Sequence, residues 1–288
     1  MELELVADYQ CSTGEGPLWH EDEKKLYWLD IPAGRMFRYD PAVDASEMVY
    51  EGESVGGATI QEDGRILLFG AAGSVRLWSE GIVGTLIESL PGEEASRFND
   101  VIADPAGRVY CGTMPNPDGA GTLYRLDCDG AISPMFGDVL CSNGMGFTPD
   151  RQRVYFTDSM RNQIYLYDYC CDTGHWTNKR VFVDVNDQEG IPDGMTVDAE
   201  GCVWSARWDG GCLVRYDPDG QEMTRILFPA KKVSCAIFAG DDYDQLYVTT
   251  AGGQDRAENG PAAGALFRLD VGVKGVAEFR SRVDVGAL

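Results

Sequence analysis

The stretch TPDRQRVYFTD, residues 148–158, decides the fold. Thr148, Pro149 and Asp150 are turn formers, and the polar residues after them lead into Val154, Tyr155, Phe156 and Thr157. A β-branched and aromatic run behind a turn reads as a short strand. The same unit recurs five more times. The copies are HEDEKKLYWLD (20–30), QEDGRILLFG (61–70), DPAGRVYCGT (104–113), DAEGCVWSAR (198–207) and GDDYDQLYVTT (240–250). Their strands begin at Leu26, Ile66, Val109, Val154, Val203 and Leu246, in steps of 40, 43, 45, 49 and 43 residues.

A second strand follows each copy, often ending in Tyr-Asp or Leu-Asp, as in RMFRYDP, QIYLYDY and CLVRYDPDG. Asp-Pro and Asp-Gly elements after it are hairpin turn signals. A strand-like run precedes each copy, as in GPLWH, NDVIADP and GMTVDAE. Sustained helical periodicity is scarce. Three strands plus a fourth in roughly 40–50 residues predict an all-β, six-bladed β-propeller with four-stranded blades. LELVAD at the N-terminus is a spare strand, expected to close the ring as the outer strand of the last blade. No linker divides the chain, so residues 1–288 read as one domain.

The composition excludes several function classes. A net charge of −23 is the wrong sign for nucleic acid, which needs clustered Lys and Arg. No apolar run is long enough to span a membrane, so no membrane partner is expected. MELELVADYQ has neither a basic start nor an apolar stretch, so it is not a signal peptide, and a cytoplasmic location is expected. The nine cysteines form no C-x-x-C. Cys111, Cys202, Cys212 and Cys235 fall within strand patterns and read as small buried hydrophobes. His20 and His175, the only histidines, sit in different repeats, which disfavours a histidine zinc site or a Ser–His–Asp triad.

In a propeller the first strand of each blade lines the central channel. Ten or eleven residues before the repeat strands stand Glu15, Val55 or Gly56, Asn99, Asn143, Asp193, and Cys235 beside Ser234. Taken singly, Glu-Gly, Asn-Gly and Asp-Gly are ordinary turns. Four oxygen-bearing side chains in register instead predict a ring at one channel mouth. Two carboxylates and two amides suit one divalent cation, with Ca²⁺ first and Mg²⁺ or Mn²⁺ as alternatives. Loops after the repeat strands should wall this mouth, which makes Met114, Asp158, Arg207 and Trp208 candidate lining residues. Residues 250–264 are Gly-rich and read equally as a lid or a connector.

Four motifs, GEGPLW, SRFNDVIADPAGRVYCGTM, SNGMGFTPD and PDGMTVDAEG, resemble, in order, the gluconolactonase/regucalcin (senescence marker protein) family. GVKGVAEF near the C-terminus is similar as well. The resemblance implies a six-bladed propeller and a sugar lactonase. It implies a channel metal on Glu15, Asn143 and Asp193, with Asn99 close to metal or substrate and Arg97 on sugar hydroxyls. Zn²⁺ and Fe²⁺ join the possible metals. The segment PNPDGAG after Met114 is shorter than the insertion of mammalian members and lacks their acidic substrate contact.

The expected chemistry is opening of an aldonolactone to its aldonic acid. Asp193 is the expected general base, with water on the metal as the alternative source of the nucleophile. A phosphotriesterase-like hydrolase and a non-catalytic calcium-binding regulatory propeller are the competing readings. The sugar, the native metal and the oligomeric state are not legible at this level.

Overall fold

The repeat strand ILLFG, β7 below, is buried along its whole length, which explains its continuous apolar character. A strand covered on both faces has no polar side to alternate with. The computed structural model describes residues 2–117, 119–185, 190–286 and 288. They form six four-stranded antiparallel sheets arranged as the blades of a propeller.

The first blade contains β2 (Gly14–His20), β3 (Lys25–Asp30), β4 (Arg35–Asp40) and β5 (Ala45–Glu51). The second contains β6 (Val55–Ile60), β7 (Ile66–Gly70), β8 (Val75–Ser79) and β9 (Ile82–Ile87). The third contains β10 (Phe98–Ala103), β11 (Val109–Thr113), β12 (Gly121–Leu126) and β13 (Ile132–Val139). The fourth contains β14 (Ser142–Phe147), β15 (Arg153–Asp158), β16 (Gln163–Tyr169) and β17 (Trp176–Asp184). The fifth contains β18 (Ile191–Val197), β19 (Val203–Trp208), β20 (Cys212–Tyr216) and β21 (Glu222–Leu227). The sixth contains β22 (Lys232–Ala239), β23 (Gln245–Ala251), β24 (Leu266–Leu269) and, from the N-terminus, β1 (Glu4–Ala7).

The expected ring closure is therefore present. β1 pairs antiparallel with β24, and Arg268 meets Glu4 at 2.7 Å. Apolar clusters fill the spaces between neighbouring blades. Trp204 and Leu213 of the fifth blade, for example, pack with Phe238 and Phe267 of the sixth. Cys111, Cys202, Cys212 and Cys235 are buried as expected, whereas Cys170 and Cys171 are exposed. No helix among the described residues is long and apolar enough to cross a membrane.

Every innermost strand carries one extra residue just past its entry, seen as a register shift against its neighbour. Such a bulge re-aims side chains locally. Asn143-Gly144 lies inside β14 and Asp193-Gly194 inside β18, so neither pair is a turn. Glycine is required there by proximity. A Cβ on Gly144 would come within 2.6 Å of the Met195 backbone nitrogen, and one on Gly194 within 2.4 Å of Cys235 Sγ.

The tail after β24 crosses the opposite side of the ring. The Ala199 N–H donates to the Lys274 carbonyl, and the Ser281 N–H to the Ile60 carbonyl, so it ties the fifth blade to the second. The Gln61 side chain acts as a surrogate strand for it, with Nε2 donating to the Val283 carbonyl (2.8 Å) and Oε1 accepting the Val283 N–H (3.1 Å). Gln61→Ala leaves that buried carbonyl and N–H without partners, at about 1–3 kcal/mol each before relaxation. Chemical denaturation should show a lower midpoint with an unchanged slope.

Candidate active site

The bulges place Glu15, Asn99, Asn143 and Asp193 from the first, third, fourth and fifth blades in one pocket at the channel mouth. The pocket has a volume of about 370 Å³. All four side chains are only 4–6 % exposed, so their charges and dipoles act in a desolvated setting.

Asn143 Nδ2 donates to Asp193 Oδ1 and to Ser159 Oγ (3.0 Å). Asn143 Oδ1 is thereby turned away from these donors and is buried without a hydrogen-bond partner. Glu15 Oε1 is also buried without one. Each is an acceptor with no donor, an arrangement that costs about 1–3 kcal/mol if it persists. A cation supplies what both oxygens lack. Glu15, Asn143 and Asp193 therefore fit a hard, oxygen-loving divalent ion. Among the described residues, no group of three His, Cys, Asp or Glu side chains is disposed for a metal, so amide oxygen is integral to this set.

Asn99 is differently committed. Its Oδ1 accepts from Arg97 Nη1 (2.7 Å), and its Nδ2 donates to the Ser142 carbonyl (2.7 Å). Its oxygen accepts from a guanidinium, so Asn99 is a strut that holds Arg97. Arg97 Nη1 also donates to the Phe98 carbonyl (2.8 Å), which leaves the rest of the guanidinium facing the pocket.

Asp100 is the residue that sequence reasoning missed. Strand alternation would send it away from Asn99, but the bulge sets both residues opposite the single Gly112 of β11. Burial raises the Asp100 carboxyl to about 7. Burial, then Asp100 and Asp193, holds Glu15 well above the ordinary carboxylate range. Asp193 is raised in the same direction by burial and then by Asp100. Burial lowers Arg97 from its usual value, against the pull of these carboxylates.

Met114 and Trp208 line the pocket as expected, joined by Ile31, Cys141, Met160 and Ile191 on its apolar side. Arg207 does not line it. The Arg207 side chain is fully buried and donates to Ser205 Oγ, the Ala206 carbonyl and Tyr216 Oη. Successive side chains of β19 point to opposite faces, so Trp208 faces the pocket and Arg207 the blade interior. Asp158 is also buried and serves the turn before it, accepting the Leu140 and Cys141 N–H groups.

Residues 250–264 are tied down by local and chain-start hydrogen bonds. They include α1 (Arg256–Asn259), and Asn259 Nδ2 donates to the Gly252 and Asp255 carbonyls. The Gly252 and Gly253 N–H groups bond to Cys11 and Ser12, which pins the segment to the chain start.

Residues 13–252 match the SMP-30/Gluconolactonase/LRE-like region. The chain belongs to that family. The family resemblance drawn from the four motifs is thus established over most of the chain. Pentonolactonase XacC of Haloferax volcanii is 47 % identical over 99 % of this chain and 100 % of its own. The 6-deoxy-6-sulfogluconolactonase of Pseudomonas putida is 36 % identical over 96 % of this chain and 97 % of its own. The crystal structure of regucalcin from Agrobacterium tumefaciens, described as a calcium-binding protein, superposes with a TM-score of 0.90 at 28 % identity, covering 98 % of each chain.

Proposed function

We propose that this family member is a lactonase that opens sugar lactones to aldonic acids, using one divalent cation held by Glu15, Asn143 and Asp193. The two unpartnered oxygens, Glu15 Oε1 and Asn143 Oδ1, carry this reading, because they adjoin Asp193 in a pocket sized for a small molecule. Charge supports a divalent ion. A divalent ion would draw Glu15, Asp100 and Asp193 toward their ionised forms, against the burial that raises all three, with Arg97 the one positive side chain beside them. The all-oxygen donor set favours Ca²⁺, Mg²⁺ or Mn²⁺ over Zn²⁺ or Fe²⁺.

When bound, the cation supplies Lewis acidity toward the lactone carbonyl. Arg97, held by Asn99, directs its free N–H groups at sugar hydroxyls. Met114 and Trp208 give the sugar ring an apolar wall. Asp193, fixed through Oδ1 by Asn143, takes the proton of the attacking water on Oδ2. The acyl–oxygen bond of the ring breaks, and the same proton passes to the departing ring oxygen, which becomes a hydroxyl. Ordering water and substrate together supplies much of the advantage over solution.

Arg97 and the polar floor favour a polyhydroxylated substrate over an apolar phosphotriester. The two lactonases above, acting by name on five-carbon and sulfonated six-carbon sugars, support the lactone class. A panel of five- and six-carbon aldonolactones tests the reading, with spontaneous hydrolysis subtracted. Turnover should appear with divalent metal and vanish on chelation. Tight Ca²⁺ binding without turnover of any lactone would favour the regulatory reading instead.

A further inference from the structure

The nine cysteines divide by exposure. Six are buried, and Cys128 is half-buried with its thiol donating to the Ala106 carbonyl (3.4 Å). Cys170 and Cys171, adjacent in the chain, are both exposed. They open the turn CCDTGH (170–175) that leads from β16 to β17. Every carbonyl of this turn has a donor. The Cys170 carbonyl accepts the Gly174 N–H (2.7 Å), and the His175 carbonyl accepts the Cys170 N–H (3.1 Å). From the third blade, Arg108 donates to the Cys171 and Asp172 carbonyls, Arg125 to that of Thr173 (3.0 Å) and Tyr110 Oη to that of Gly174 (2.7 Å). The turn thus presents two neighbouring thiols to solvent on a fixed backbone. Hydrogen bonds from Thr173, first through its hydroxyl and then through its N–H, hold the Cys170 thiol below the usual cysteine range. More of it is therefore thiolate, the form that bonds soft centres.

We propose that Cys170 and Cys171 form a dithiol site that takes one trivalent arsenical of the type R–As=O. Two S–As bonds form, and the oxygen leaves arsenic as water with both thiol protons, so nothing is oxidised or reduced. Other uses of the pair fit worse. Consecutive Cα atoms lie about 3.8 Å apart, short of the span of about 4.4–6.8 Å usual for a disulfide. Closing a disulfide would twist the Cys170–Cys171 peptide out of its bond to the Gly174 N–H. An arsenic atom between the two sulfurs relieves that constraint. A structural zinc ion takes four ligands. Among the described residues, no group of three His, Cys, Asp or Glu side chains is disposed for a metal. Arsenic that carries one organic group needs only two. The site is also remote from the pocket. Asp168, just before the turn, pairs with Arg153, at the end of β15 opposite Asp158 and Ser159.

Phenylarsine oxide added to the reduced, folded full chain tests this. Mass spectrometry under non-denaturing conditions should show one phenylarsenic unit per chain. The adduct should persist in excess β-mercaptoethanol, a monothiol, and be removed by dimercaptopropanol, whose paired thiols compete for both bonds. Cys170→Ser and, separately, Cys171→Ser should lose the adduct in the monothiol. Their apparent affinity should fall by roughly 10²–10⁴-fold, the usual loss when one of two linked contacts is removed. Both residues are exposed, so both variants should keep the wild-type thermal midpoint. A wild type that holds no phenylarsenic in the monothiol overturns the inference. So does an adduct that survives either substitution, because the arsenic would then sit on other thiols.

Discussion

Asp193→Asn is expected to lower kcat by roughly 10²–10⁴-fold at saturating divalent cation, the usual range for losing a positioned general base. The amide preserves shape and an oxygen, so the Asn143 contact and the pocket volume should survive. What it removes is the proton acceptor and one negative charge. That lost charge also weakens cation binding, which alone would depress the rate at low metal. Saturating metal separates the two effects. If the variant then recovers the wild-type rate, Asp193 serves only to hold the cation, and another group must take the proton. Rates are read above the spontaneous opening of the lactone.

The second large effect is on stability without metal. Glu15 and Asp193 are raised well above the ordinary carboxylate range, and Asp100 to about 7, chiefly by burial. In the unfolded chain these carboxyls titrate near 4. As pH rises from about 4, the unfolded chain releases protons that the folded chain keeps. Folded stability then falls by about 1.4 kcal/mol per retained proton per pH unit, until the raised groups ionise in the fold. This contribution runs opposite to that of a salt-bridged carboxylate, which stabilises as pH rises. A divalent cation favours the ionised forms, so its stabilisation should grow with pH. Calorimetry of chelated protein should show a midpoint that drops between pH 5 and pH 8, and saturating Ca²⁺ should remove most of that drop. Parallel pH profiles with and without metal would contradict the electrostatic picture of the site.

The repeats made the propeller readable because each blade reuses one turn and one apolar strand, as TPDRQRVYFTD does. The same regularity put Glu15, Asn143 and Asp193 in register before any coordinates. What escaped was set by local departures from regularity. Asp100 follows Asn99 and should face away from it, yet the β10 bulge keeps both at the channel. Arg207 fails for the converse reason, since β19 alternates regularly and carries it into the blade beside Tyr216. No spacing rule showed that the Asn99 oxygen would be claimed by Arg97, because that depends on side-chain rotation. The tail beyond Leu269 has no repeat to compare with. Its path across the ring emerges only from contacts such as Gln61 with Val283.

The most direct test of the central claim is the rate of acid release from an aldonolactone, recorded in a pH-stat with metal-free protein before and after a divalent cation is added. Wild-type protein should rise above the spontaneous rate only after the addition. Asn143→Ala, which deletes the unpartnered oxygen at the site, should fail to respond at the same metal concentration. Acid release that is unchanged by metal, or equal in wild type and Asn143→Ala, would contradict a lactonase built on Glu15, Asn143 and Asp193.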